Sequence, residues 1–247
     1  MTNLLSDPLA AAEPREQSQT DVVVESVKAR ILSGELRAGS RLPTEKDLAV
    51  EFKVSRSSLR EGVRALCMMG VLETRQGDGT YVTALEPGLL LAPMSFLVEL
   101  YTGPATAHLQ AVRRTLETDA ASRAALAITD VELSHAESIL NDCEGLIAAN
   151  GLDQVERFIR ADMAFHHVIA RASGNPVLEA LIEALSSRTI RDRMRRATVE
   201  HGVLATTHAE HQAILHALRA RDPEAARFRM GAHLLGVEDF ILDHPVA

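Results

Sequence analysis

Asp162 and His166, within RADMAFHHVIARASGNP (residues 160–176), stand four apart and therefore one above the other on a helix. They fall beside the apolar positions Phe158, Phe165, Val168 and Ile169 rather than opposite them, so a carboxylate and an imidazole are carried onto the buried side. Two more imidazoles can meet them there. RDPEA makes a tight turn between two helical stretches, with His211 11 residues before Asp222 and His233 11 residues after it. In an antiparallel helical hairpin, positions equidistant from the turn lie side by side. His211 shares a face with Leu215 and Leu218, and His233 with Met230 and Val237, so both can point into a bundle. Three imidazoles and one carboxylate with coordination positions left open suit a divalent metal, Zn²⁺ first and Ni²⁺ or Mn²⁺ as well.

Taken singly, these residues are ordinary. Asp162 and His166 alone read more readily as an i,i+4 ion pair than as ligands, and His211 alone as a partly buried, hydrogen-bonded imidazole. Taken together, they admit three functions: an effector-binding metal site, a purely structural metal, or a hydrolytic centre that activates water. Against the last, no general base or nucleophile is evident beside the set. Glu210 adjoins His211 in sequence but is turned about 100° from it on a helix. No catalytic residue is therefore assigned, and the chain is not read as an enzyme.

A second cluster is Ser55, Arg56, Ser57, Ser58 and Arg60, crowded into the first turn and a half of the helical stretch RSSLREGVRALCMMG. Backbone N–H groups point outward at such a helix start. Hydroxyls and amides hold phosphates there, while arginines reach guanine edges in the major groove. One such helix alone would be an ordinary solvated surface; its neighbours decide the matter. Val23, Val27, Ile31 and Leu32 follow a helical spacing that Ser33-Gly34 ends. Pro43 stops extension, and Thr44 caps a new helix with Asp47 three positions on, its inner face being Leu48, Ala49 and Phe52. After the short turn Lys53-Val54, Ser55 caps the third helix, with Leu59, Val63, Leu66 and Met69 inward and Gly70 closing it. VLETR and TYVT, joined by QGDG, then read as a β-hairpin. This order predicts a winged helix-turn-helix over residues 21–83.

The elements that must carry the metal ligands are all helical. After Glu86-Pro87-Gly88 strand signals nearly vanish, and helices are expected at about 89–101, 106–127, 130–149, 153–172, 176–198, 208–220 and 223–242. Asp130, Asp153, Asn175 and Asp222 are the expected N-caps, the last two with proline following. The fold class is thus mainly α: an N-terminal winged helix-turn-helix, then an all-α bundle of about seven helices. Residues 1–20, rich in Ala, Pro, Glu, Gln and Ser, read as a disordered arm; residues 84–105 read as a linker and first bundle helix.

Charge is unevenly distributed on this acidic chain, net −8. Residues 21–83 hold 10 basic and 9 acidic groups and all three lysines, against 16 basic and 25 acidic elsewhere. A locally positive segment on an acidic protein is compatible with nucleic acid, but +1 is weak support. Two cysteines, Cys67 and Cys143, lack metal or redox spacing and fit small buried residues in a reducing cytoplasm. GLLLAPMSFLVEL is too short to span a membrane and contains Pro93 and Glu99.

The stretch LPTEKDLAVEFKVSRSSLREGVRALCMMGVLETRQGDGTYV closely resembles the DNA-binding domain of GntR-type bacterial transcription regulators. By that resemblance Arg41, Lys46, Arg56 and Arg60 contact DNA, Ser55, Ser57 and Ser58 sit on phosphates, and Gly77 to Gly79 form the wing tip. Two departures stand out: Lys53 where the family usually has glycine, and Asp78 at a tip usually basic or small. Similarly, DMAFHHVIARASGNPVLEAL, EHQAILHALRARDPEAA and MGAHL look like successive motifs of the FCD effector domain of the FadR branch, over roughly residues 106–240. The resemblance implies metal ligands Asp162, His166, His211 and His233. It also implies effector contacts from Arg113, Glu117 and Asn175, with Arg113 able to pair bidentately with a carboxylate. A cytoplasmic homodimer follows as the expected species, a repressor binding a pseudo-palindromic operator and answering to a small carboxylic acid.

Overall fold

The computed structural model describes residues 17–100, 105–147 and 151–244, so residues 1–16 of the expected arm and the ends of two expected helices fall outside it. The chain divides into two compact units at Leu85/Glu86.

The first unit is built from α1 (Gln19–Leu32), α2 (Glu45–Glu51), α3 (Arg56–Met68), β1 (Leu72–Arg75) and β2 (Gly79–Val82). Its helices start where the capping residues say they should. Ser18 and Asp21 form a reciprocal capping box, and Thr44 and Ser55 accept from the N–H groups of Asp47 and Ser58. β1 and β2 pair antiparallel, Leu72 opposite Val82, and Arg41 adds a bridge to Tyr81. The core gathers Val23, Val27, Leu48, Leu59, Leu66, Leu72 and Val82. α1 and α3 approach closely at Gly62, where a Cβ would lie 2.6 Å from Val23 Cγ1. Two residues expected inside are outside: Leu32 is 78% exposed and Met69 41%. Leu32 lies about 100° round from Ile31, the next position of the Val23-Val27 stripe. Met69 is the C-cap of α3, where the chain already leaves the helix for Gly70.

The α2–α3 turn is a Schellman motif, with Val54 N–H bonded to Ala49 O at 3.1 Å and Lys53 N–H to Val50 O at 3.3 Å. Lys53 sits there at φ 56°, a conformation glycine adopts without steric cost. Lys53→Gly should therefore stabilise the full chain by about 0.5–1 kcal/mol, the relief of left-handed strain less the added unfolded-state entropy. A denaturant midpoint that falls instead would show that Lys53 makes a compensating contact.

Among the described residues the second unit holds seven helices: α4 (Pro87–Leu100), α5 (Ala105–Ala127), α6 (Asp130–Ile147), α7 (Leu152–Ala172), α8 (Pro176–Val199), α9 (Val203–Arg219) and α10 (Pro223–Asp243). Asn175 and Asp222 cap α8 and α10 with proline at the first helical position. Two expected caps are corrected. Thr129 rather than Asp130 caps α6, exchanging bonds with Glu132. Gly151 precedes α7 without a side-chain cap, leaving Asp153 inside the first turn. The core is Ala-rich on α5 (Ala121, Ala124, Ala125), which lets α7, α9 and α10 close on it through Phe165, Ile169, Ile214, Leu215, Leu218, Met230 and Leu234. No helix among the described residues is long and apolar enough to cross a membrane.

Candidate metal centre and nucleic-acid interface

α7 carries Asp162 and His166 one turn apart, and the α9–α10 hairpin brings His211 and His233 to one level beside them. All four are buried. One ligand atom from each lies within 4.8 Å of every other. His211 Nε2 is 3.3 Å from His233 Nε2 and 3.4 Å from Asp162 Oδ1, while His166 Nε2 lies 3.9 Å from that same oxygen. Phe165 packs against the His211 ring, centroids 4.8 Å apart, and closes one side with hydrocarbon.

The outer contacts fix which nitrogen faces inward. His233 Nδ1 meets Glu210 Oε2 at 2.7 Å, and His166 Nδ1 meets Glu117 Oε2. An imidazole whose Nδ1–H is given to a carboxylate presents its Nε2 lone pair to the other side, as histidine ligands of metals do. His166 Nε2 is buried with no hydrogen-bond partner. A buried ring nitrogen left in that state is costly unless something else occupies its lone pair. Burial, and next the neighbouring imidazoles, holds the His211 pKa well below its ordinary value. Burial likewise lowers His233 to about 4 against the pull of Glu210. Both are therefore neutral at pH 7, the form that donates to a metal. The donor set, its orientation and its protonation fit a divalent cation.

Glu117, expected among the effector contacts, is held by Arg113 and His166. Burial alone would raise its carboxyl, but Arg113, His166 and Arg193 outweigh that and hold it well below the usual range. One oxygen pairs with Arg113 Nε and the other with His166. Asn175 stays at the N-cap of α8, its side-chain carbonyl accepting from Val177 and Leu178 N–H; it is about five helical turns along α8 from Arg193, and among the described residues no hydrogen bond or ion pair joins it to the quartet. Two residues were missed. Glu210, set aside because it turns away from His211, turns toward His233. Arg193 lies against Asp162 Oδ2. Its signal was present: Ile182, Ser186 and Arg193 fall on one stripe of α8 (offsets of four and seven), and the first two are buried.

In the first unit, Arg56, Ser57 and Arg60 stand exposed on the first turns of α3. Arg56 makes no ion pair among the described residues, whereas Arg60 Nε is 2.8 Å from Glu45. The Ser55 hydroxyl lies 2.8 Å from both Ser57 and Ser58 hydroxyls and caps the helix. Ser58 also donates to Gln19 Oε1 at 3.1 Å. The Ser58 hydroxyl and the Ser55 backbone N–H, both on Gln19, thus tie the start of α3 to α1. Lys46 is exposed on α2. Arg41 reaches the wing turn, donating to the Asp78 carbonyl beside Gly79. A Cβ at Gly79 would lie 2.8 Å from Arg41 Nε. Asp78 turns its carboxylate to Tyr81 OH at 2.8 Å.

A winged helix followed by an all-α unit with this buried quartet is the architecture of a DNA-binding regulator. Residues 19–82 match the family described as bacterial regulatory proteins, gntR family, and residues 108–236 match the FCD domain. The chain belongs to the GntR family of transcription regulators and carries an FCD domain. It is 34% identical over 215 residues to the HTH-type transcriptional regulator LutR of Bacillus subtilis, covering 85% of this chain and 95% of that one. It is 31% identical over 221 residues to the HTH-type transcriptional repressor NanR of Klebsiella aerogenes, covering 88% and 83%. A solved Streptococcus agalactiae GntR aligns with TM-score 0.60 and 27% identity over 89% of this chain and 99% of that one.

Proposed function

We propose that this regulator is a cytoplasmic homodimeric repressor whose operator affinity is set by a small organic acid bound beside a divalent metal, Zn²⁺ before Ni²⁺ or Mn²⁺, in the FCD domain. The observation that carries the reading is the buried quartet Asp162, His166, His211 and His233, with Glu117 and Glu210 turning two imidazole Nε2 atoms toward it. The metal, when bound, supplies a Lewis-acidic point that a carboxylate or hydroxyl oxygen can join. Glu117 and Glu210 hold the ring tautomers, and Phe165 excludes water from one face. On DNA, Arg56 and Arg60 read bases, Lys46 and the α3 hydroxyls take phosphates, and Arg41 steadies the wing at Gly77 to Gly79. The name of the Klebsiella relative supports repression. Switching requires that the acid bind the DNA-competent and DNA-incompetent states with different affinity.

Thermal unfolding of the full chain tests this with and without chelation, metal add-back and a panel of carboxylic acids. One acid at about 100 times its dissociation constant should raise the midpoint by roughly 5–10 °C, only when metal is present. The same acid should release an operator duplex. Stabilisation by metal and by no acid would replace this reading with a structural metal in a ligand-blind DNA binder.

A further inference from the structure

We propose that Arg193 is the residue that receives the effector's carboxylate, and that in the acid-free protein it stands in the effector's place, paired to Asp162. The inference rests on the metal-and-acid reading above and names the group that recognises the acid.

Asp162 is shared between two sides. Its Oδ1 faces the imidazoles, while its Oδ2 lies against the guanidinium of Arg193. That guanidinium and Asp162, with Arg196, His233 and Thr207, line a cavity of only about 30 Å³, otherwise walled by hydrocarbon such as Phe158 and Val237. Such a space holds about one water, too little for any organic acid. Beyond it lies a cavity of about 510 Å³ that shares the walls Ala197, Val203 and Leu204. Arg193 lines the small cavity together with Asp162 and His233, and the larger cavity adjoins that one along the three shared walls. Rotating its side chain off Asp162 both makes room and presents a planar fork of donors that matches a carboxylate.

The other nearby arginines are less free to do this. Arg113 is 1% exposed and pairs with the carboxylate that orients His166, so moving it would disturb a ligand's outer partner. Arg196, at the mouth, pairs with Glu200 at 2.7 Å. Asp162, once it shares its charge with a bound cation, holds Arg193 less tightly. Metal and acid are thereby coupled through Asp162, and linkage makes that coupling reciprocal.

The test is the Mn²⁺ dissociation constant of the full chain, read by electron paramagnetic resonance, with and without acetate, glycolate, succinate or citrate. In the wild type one of these acids should tighten Mn²⁺ about tenfold. Arg193→Met should still bind one Mn²⁺ per chain, with that coupling reduced to about onefold. Arg193→Gln provides a polar control should the methionine variant fold poorly, and Arg193→Lys should retain part of the coupling. Undiminished coupling in Arg193→Met and Arg193→Gln would overturn the assignment while leaving the metal-and-acid reading intact. Loss of Mn²⁺ itself from both folded variants would also overturn it, since Arg193 would then be a support of the quartet. No coupling by any acid in the wild type would count against the metal-and-acid reading, and this inference would fall with it.

Discussion

His233→Ala should lower divalent-metal affinity roughly 10²–10³-fold. A complete four-donor site in a small protein is worth about 10–16 kcal/mol, or about 2.5–4 kcal/mol per donor, and 1.4 kcal/mol is a factor of ten. The effect should fall on the metal and on the acid response, and not on the winged helix, whose core of Val23, Leu48, Leu59 and Leu66 belongs to the other compact unit. Glu210→Gln is the graded companion. It leaves all four ligands but weakens the acceptor 2.7 Å from His233 Nδ1, so its loss should be about 10–100-fold. Competition with a chelator of known affinity measures both, on full-length protein without acid, alongside binding of an operator duplex. Metal affinity within threefold of wild type in His233→Ala would place the ion elsewhere. Loss of operator binding with metal would mean that the ion is needed for the fold.

The helices of the second unit were legible because their ends are written in local chemistry. Asn175-Pro176 and Asp222-Pro223 each combine a capping carbonyl or carboxylate with a ring that suits the first helical turn, and both start helices where expected. Where two polar residues competed for a cap, sequence alone chose wrongly. Asp130 looked sufficient, yet Thr129 wins because Glu132 can return a bond to its N–H. The winged helix was legible for the same reason: Thr44, Ser55, Gly70 and the QGDG turn punctuate it.

Within the site, legibility followed periodicity. Asp162 and His166 betrayed themselves as polar residues on an apolar stripe, and the symmetric spacing about Asp222 brought His211 and His233 to them. The outer partners were not readable in that way. Glu210 serves His233, 23 positions away, and which neighbour a helix edge faces depends on packing angles that a spacing rule does not supply. Arg193 belongs to RDRMRR, a run whose charge reads as solvated surface even though one of its arginines continues the inner stripe of α8. Long cationic stems can be buried along hydrocarbon with their heads on a carboxylate, and only the fold shows which of several does so.

Arg56→Ala should weaken binding to a selected operator about 10–100-fold and flatten sequence preference at one base position, as loss of a bidentate contact worth about 1–3 kcal/mol requires. Arg56 is the sharper choice than Arg60 because it makes no ion pair among the described residues, whereas Arg60 must first leave Glu45, 2.8 Å away. That pair is largely exposed, 62% and 50% for the two side chains, so parting it costs little, and Arg60 remains a second reader. Lys46→Ala offers the contrast. A phosphate contact carries no sequence information, so its loss should weaken all duplexes alike and reduce the salt slope by about one. Duplexes selected from a random pool by the full-length protein supply the operator, and anisotropy titrations at several salt concentrations read both variants. Equal losses on specific and random DNA in Arg56→Ala would assign Arg56 to phosphate and leave base reading to Arg60. Unchanged affinity in both arginine variants would mean that α3 does not enter the groove by its N-terminal turns.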